Sequence, residues 1–356
     1  MRYEERFYFA VSILVAGLIM SLYVIYSAYM LYFTPADIKI GVFVPLEGDS
    51  KYLGDNLIRG VELAIPNKSR EHFDIEYYHL DCKSEITSEL NEALNKNFSA
   101  IIGGACFNGA EILMKTGEAR KIPTVIVGSS TSNFGSGSSY IFSTIPNNEI
   151  EGNYTAGLIR SQNNSKLAIL YVNNKFGSEL RRIVKNDFEN DGGSIVAQES
   201  FSSPEEVERS VLKIKWFNPD AIYIISEDKN DSESVISAVD KFKINSKIYT
   251  NFGFAYPEII QNESSSNYTL IIPPTGNSDF KKLYSINYGS SPKVLSAQGY
   301  DGAKFVYNSY KEGAINPEYM LQKLEKIKIE SSNGKISFSN HKLSGVYESY
   351  VIKDLR

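Results

Sequence analysis

The sequence predicts an α/β protein made of two lobes, each a parallel sheet flanked by helices, behind an N-terminal transmembrane helix. Three observations carry that reading. Strand-like and helix-like segments alternate after Pro35, the alternation runs twice over stretches of similar length, and a charge-free apolar run precedes both. Alternation of this kind is the signature of parallel sheets covered on both faces. A chain of 356 residues has room for two ordinary domains with appendages.

The apolar run "FYFAVSILVAGLIMSLYVIYSAYMLYF", residues 7–33, holds no charge and no proline. Spanning a bilayer as a helix takes about 20 apolar residues, whereas a cleavable signal core needs only about 7–15. The stretch is therefore expected to be a single-pass anchor in the cell membrane, with Arg2 and Arg6 before it and aromatic residues at both ends. The bulk of the chain then lies outside the cytoplasm. A cleaved signal peptide ending near Thr34-Pro35-Ala36 is the alternative.

In the first series, "IKIGVFVPL" is a continuous apolar strand of the kind buried on both faces. "YLGDNLIRGVELAI" puts Leu57, Ile58, Val61 and Ala64 at helical spacing. "FDIEYYHL" reads as a strand, "SEITSELNEALNKN" as a helix opened by Ser84, and "AIIGG" as a short strand. "GAEILMKTGEARK" and "PTVIV" complete the series as helix and strand.

"YIFSTIPNNEIEGNYTAGLI" reads as a crossing that enters a helix capped at Asn147 or Asn148. The second series runs "KLAILYV", "GSELRRIVKNDFEND", "GSIVAQES", "PEEVERSVLKIKW", "AIYIIS", "SESVISAVDKF" and "KIYTN", strand and helix in turn. Past Tyr268 two or three helices are expected, "SAQGYDGAKFVYNSYKEG" among them. "GKISFSNHKLSGVYESYVIKD" reads as an antiparallel, hairpin-like pair. The expected division is an anchor over 1–36, one lobe over 37–149 with 277–325, and the other over 150–276 with 326–356.

Composition narrows function. Apolar content of 42% with 22% charged residues is that of a globular chain. A net charge of −5 without clustered lysine and arginine excludes a nucleic-acid face. The close lysines, Lys281 with Lys282 and Lys326 with Lys328, read as solvated faces. Cys82 and Cys106 do not combine with the three histidines at metal-ligand spacing, so no metal is expected. Outside the cell the two can instead close a loop of about 25 residues as a disulfide. No G-x-x-x-x-G-K-[ST], G-x-S-x-G or H-E-x-x-H motif occurs, so neither an enzyme nor a cofactor is expected.

Ligands of open parallel sheets bind beyond the carboxyl ends of the strands, where helices begin. Those corners hold Tyr52 after the first strand, Phe107 and Asn108 after the third, and Ser129, Ser130 and Thr131 after the fourth. In the second series they hold Phe176, Glu227 and Asn251. Hydroxyls beside free backbone N–H groups at a strand end make a nest for a carboxylate. Ser129, Ser130 and Thr131 suit that role, Tyr52, Phe107 and Phe176 can flank a small ligand, and Glu227 can pair an ammonium. The plain alternatives are a polar loop, packing aromatics and a solvated turn.

"IKIGVFVPLEGDSKYLGDNLIRGVELAI" resembles the opening of type I periplasmic binding proteins of the branched-chain amino-acid (Leu/Ile/Val) class, the substrate-binding components of ABC transporters. "AIIGGACFNGAEIL", "KIPTVIVGSSTS", "LAILYVNNKFGSELRRIVKNDFENDGGSIVAQESF", "NPDAIYII" and "SAQGYDGAKFV" are similar to later landmarks of that family, in the same order over about residues 37–353. The resemblance implies two Rossmann-like lobes joined by a three-segment hinge. It places Ser129, Ser130 and Thr131 at the ligand carboxylate. Phe107 falls where a serine is common and Phe176 where a tyrosine is usual, while Tyr52 keeps the first loop's aromatic. Cys82 and Cys106 match a first-lobe disulfide of some members. The acid that pairs the ligand ammonium has no counterpart in Thr250-Asn251-Phe252-Gly253, and Asp301 stands at the family's Tyr-Asp landmark.

The implied function is capture of a small ligand, an amino acid or a related carboxylate or amide, in the inter-lobe cleft. The implied partners are the permease and ATPase subunits of an ABC importer, with the membrane reached through residues 7–33. A ligand-sensing ectodomain of the same fold, working through a partner signalling protein, is the second reading.

Overall fold

The computed structural model describes residues 11, 13–26, 38–67, 72–82, 87–129, 140–339, 341, 343 and 347–356. The first sheet holds β1 (Ile38–Val44), β2 (Phe73–His79), β3 (Ala100–Gly103), β4 (Thr124–Ile126) and β5 (Ile141–Ser143). All are parallel, in the order β2-β1-β3-β4-β5. Helices α1 (Lys51–Ala64), α2 (Ser88–Leu94) and α3 (Phe107–Arg120) connect the strands. β1 lies between β2 and β3 and is almost wholly buried, which explains its unbroken apolar run.

α4 (Asn148–Ser161) leads into the second sheet through β6 (Lys166–Val172), α5 (Lys175–Asn190), β7 (Ser194–Phe201), α6 (Pro204–Trp216), β8 (Ala221–Ile225), α7 (Lys229–Lys241), β9 (Lys247–Thr250), α8 (Pro257–Gln261) and β10 (Thr269–Ile272). The chain continues as α9 (Ser278–Tyr288), α10 (Ser296–Lys311), α11 (Pro317–Leu324), β11 (Lys328–Ser331), β12 (Gly334–Ser337) and β13 (Glu348–Val351). The second sheet runs β13-β10-β9-β8-β6-β7, with β13 its one antiparallel member. All five β8 residues are buried, and each large one contributes about 1.5–3 kcal/mol of transfer free energy.

The helices begin where side chains satisfy their first N–H groups. Asn147 caps α4, accepting from the Ile150 N–H at 3.0 Å, and Asn174 caps α5, accepting from the Gly177 N–H at 2.9 Å. Ser203 caps α6, with Pro204 next and acids in the first turn. α2 begins later than expected: Thr87 accepts the Leu90 N–H at 3.1 Å, and Ser84 lies outside the described residues.

Two further differences from the sequence reading follow from edge pairing. "IFS" within the expected crossing is β5, held against β4, and "TLII" past Tyr268 is β10 rather than the approach to a helix. The C-terminal hairpin also forms one strand earlier. β12 pairs back on β11 across a two-residue turn closed by Gly334, whose φ of 103° favours glycine, and β13 joins β10 instead.

The connecting stretches after β5 and after β10 are tied to α10 and β13. Thr144 donates to the Gln298 carbonyl (3.1 Å), and Gln298 donates to the Pro274 carbonyl (2.8 Å). Glu348 accepts from the N–H and hydroxyl of Thr275 at 3.2 and 3.0 Å. Residues 13–26 are helical with their apolar side chains exposed, Leu14 and Tyr23 among them. Among the described residues no helix is long and apolar enough to cross a membrane. The described residues therefore do not carry the transmembrane helix expected over 7–33. The remainder of that span and Thr34-Pro35-Ala36 lie outside them.

Candidate functional site

The carboxyl ends of β1, β3 and β4 meet those of β6, β8 and β9. Phe107 opens α3 and Phe176 lies in the first turn of α5; their ring centroids are 6.2 Å apart, and Phe252 after β9 lies 6.3 Å beyond Phe176. All three are buried. Tyr52, in the first turn of α1, approaches Tyr256 of the second lobe at 6.1 Å. Two polar contacts close the same boundary. Lys175 pairs with Glu111 of α3 at 2.7 Å, its ammonium also 5.7 Å from the centroid of the Phe107 ring, and Asn230 donates to Asp49 at 2.8 Å. Aromatic and cation–π contacts of this kind add to burial where water is excluded.

Ser129 is buried just beyond β4, and Asn108 is half-buried. A Cβ at Gly128 would stand 2.4 Å from the Ala105 backbone, so only glycine lets the loop after β4 lie against the loop after β3. Ser130 and Thr131 lie outside the described residues. Phe107 and Phe176 come together at the boundary, and Tyr52 meets Tyr256 there. Glu227 and Asn251 turn to partners in their own lobe. Glu227 accepts from Asn174 at 2.5 Å, and Asn251, fully buried, accepts the Ser226 N–H at 3.1 Å while donating to the Ser226 carbonyl at 2.9 Å. That pairing fastens the ends of β8 and β9 and uses both polar groups of the Asn251 amide. Asp301 is buried in α10, bonded to Ser332, away from these corners.

The electrostatics follow from burial and acids. Burial first, then the charge of Asp228, with Asp81 and Asp49 adding, pushes the Tyr256 hydroxyl well above its ordinary range. Burial likewise raises Tyr52 to about 12. Both phenols stay neutral, and acids of both lobes surround Tyr256. Tyr256, Lys175, Glu111 and Asn230 were missing from the sequence candidates. The only signal was position, since Tyr256 follows the corner after β9 and precedes the helix-opening Pro257. Among the described residues no group of three metal-ligating side chains gathers.

Cys82 and Cys106 form a disulfide with Cα atoms 5.2 Å apart. It fastens the corner after β2 to the N-cap of α3, directly before Phe107. Replacing both cysteines by serine is expected to lower the unfolding free energy by about 3 kcal/mol, as loop closure predicts. Denaturant unfolding of the variant beside the native protein measures this; equal midpoints would show that the bridge adds nothing.

Residues 37–353 match the protein family described as "Periplasmic binding protein". The Leu/Ile/Val-binding protein homolog 8 of Brucella abortus is 22% identical, the alignment covering 83% of this chain and 81% of that protein. Among solved structures, the leucine-binding protein LivK of Thermotoga maritima superposes with a TM-score of 0.78 at 19% identity, over 89% of this chain and 96% of the other. An R. palustris ABC-transporter solute-binding protein in complex with benzoate gives 0.77 at 17%, over 89% and 94%. LivJ of Streptococcus pneumoniae in complex with isoleucine gives 0.71 at 19%, over 88% and 100%. At these identities the structural likeness concerns the fold.

Proposed function

The chain belongs to the periplasmic binding protein family, and on that premise we propose that it is an extracytoplasmic solute-binding protein that captures a small ligand between its lobes for ABC-type import. The observation that carries the proposal is the meeting of Tyr52 and Phe107 from one lobe with Phe176, Phe252 and Tyr256 from the other, at the carboxyl ends of both sheets. Such a boundary can bind without transforming. The Lys175–Glu111 and Asn230–Asp49 contacts join the two lobes, and a ligand touching both lobes shifts the population toward the closed form.

The ligand we favour is an amino acid or a related carboxylate or amide. Ser129, with Ser130 and Thr131, offers hydroxyls to a carboxylate, while Asp49, Asp81 and Asp228 around Tyr256 suit an ammonium. The name of the Brucella relative and the isoleucine and benzoate of the solved structures point the same way. Residues 7–33 would hold the protein at the membrane beside a permease and its ATPase.

Thermal unfolding of the purified chain against free amino acids, short peptides, amides and small carboxylates tests the reading. A cognate ligand at about 100 times its Kd adds about 2.7 kcal/mol and is expected to raise Tm by about 5 °C or more. No shift with any member of the panel would remove the capture proposal. Hydrolysis of an amide or ester that disappears in Ser129→Ala would replace it with an enzyme.

A further inference from the structure

Beside the aromatic boundary lies a cavity of about 450 Å³, walled by Tyr52, Lys281, Lys293 and Val294 on the first-lobe side, by Thr275 after β10, and by second-lobe residues. We infer that this flank cavity is a separate subsite that takes an amphipathic anion, its apolar body on the cavity floor and its carboxylate against Lys281 and Lys293. The inference rests on the solute-binding reading of the cleft and adds a ligand class to it.

The floor is apolar: Ala255, Leu270, Ile272 and Val294 are all buried and line the cavity. A volume in this range is that of small-molecule sites, where an apolar floor supplies most of the affinity and a few polar groups orient the guest. The charged groups here are mainly cationic, beside the hydroxyls of Tyr52, Thr275, Ser291 and Tyr350. Lys281 is half-buried and Lys293 exposed at the rim, and neither ammonium has an ion pair or hydrogen bond among the described residues. Most other half-buried lysines are committed, Lys39 to Asp74 and Glu76, Lys185 to Glu189, Lys229 to Glu258 and Lys323 to Glu312, while Lys304 lies over the Tyr300 ring at 5.3 Å.

Arg356 also lines the cavity, but its guanidinium is spent on the carbonyls of Ile260 and Asn262 and on Glu263. The side-chain acid present, Asp354, is exposed. Two uncommitted ammoniums over an apolar floor favour an anion with a hydrocarbon body, because charge-assisted bonds strengthen as the site dries. A neutral or cationic guest would leave both lysines without a partner. Since the walls come from both lobes, an occupant would also favour the closed arrangement.

Hexanoate is the probe, with hexanamide as its neutral counterpart, titrated calorimetrically into the purified full chain. Hexanoate is expected to bind and hexanamide to bind at least tenfold more weakly. The Lys281→Ala/Lys293→Ala variant should lose at least tenfold for hexanoate, with its Tm and its response to a main-cleft ligand retained. Ile272→Trp, which fills the floor, should lose hexanoate as well, while Ser129→Ala should keep it. Unchanged hexanoate affinity in the double lysine variant would overturn the subsite. So would loss confined to Ser129→Ala, which would move the carboxylate to the main corner and leave the capture reading standing. Absence of hexanoate binding, with a main-cleft ligand still bound, would sink the subsite alone; absence of both would sink the capture reading too.

Discussion

Gly60→Val is expected to lower the unfolding free energy by about 3 kcal/mol, at or beyond the upper end of ordinary overpacking. α1 crosses α10 here with the two backbones in contact. A Cβ at Gly60 would stand 2.1 Å from the Ser296 carbonyl oxygen and 2.7 Å from the Tyr300 nitrogen, and one at Gly299 would stand 2.5 Å from the Leu57 carbonyl oxygen. No rotamer change relieves a clash with backbone, so the helices must move apart. Their separation would carry Leu57 and Val61, both fully buried, away from the core. Gly157 on α4 is the control. Nothing lies within 4 Å of a Cβ there, so Gly157→Ala should be neutral or stabilise by up to about 1 kcal/mol, the helix-propensity difference. Urea unfolding of both variants decides: equal effects would mean that the α1–α10 contact is not tight. The same contact explains two sequence landmarks, since Gly60 belongs to "RGVELA" and Gly299 to "SAQGYDGAKFV", segments more than 200 residues apart that meet at one point.

Much of the fold was legible because parallel strands buried on both faces leave long apolar runs, as β1 and β8 do, and because the intervening helices carry strong caps. β5 and β10 were less visible. β3 and β4 are as short, but each follows a helix pattern in the sequence, whereas β5 and β10 follow none and neighbouring strands decide their state. The site was legible only as far as corners are. The rule that helices begin beyond strand ends singled out Tyr52, Phe107 and Phe176, of which Phe107 and Phe176 touch each other and Tyr52 touches Tyr256. The same rule cannot distinguish a side chain aimed at the other lobe from one bonded within its own. That is why Glu227 and Asn251 stood among the candidates although Asn174 and the Ser226 backbone engage them. Tyr256, Lys175 and Asn230 depend on how closely the lobes approach, which no local pattern encodes. Lys281 reads as a solvated lysine until the cavity beside it is seen.

Stability is expected to fall as pH rises from 5 to 8, by up to about 3 kcal/mol from Glu151 and a similar amount from Asp301. Both carboxyls are buried where the connecting stretches converge. Burial lifts Glu151 from 4.5 to about 7 against the hydrogen bonds of Tyr347 and Tyr223, and lifts Asp301 from 3.8 to about 7 against Ser332 and Lys304. Between the unfolded and folded values the native state holds a proton that the unfolded chain has lost. The stabilisation is therefore complete below the unfolded pKa and disappears as pH climbs through the folded one. The bonding around Glu151 can be kept by a carboxamide: Tyr223 donates to Glu151 Oε1 at 3.3 Å, and the Tyr347 hydroxyl also reaches the Pro146 carbonyl at 3.1 Å. Glu151→Gln reproduces that pattern, so it should flatten part of the pH slope and stand above the native protein at pH 8. Asp301 differs, because Ser332 donates to both of its oxygens, from the N–H at 2.6 Å and from the hydroxyl at 2.8 Å. Asp301→Asn replaces one acceptor with a donor and should also flatten the slope, but from a less stable starting point at pH 5. Denaturant midpoints across pH 5–8 for the three proteins separate these effects. A native-like slope in Glu151→Gln would show that Glu151 titrates near its ordinary value, its burial offset by bonds to the charged form.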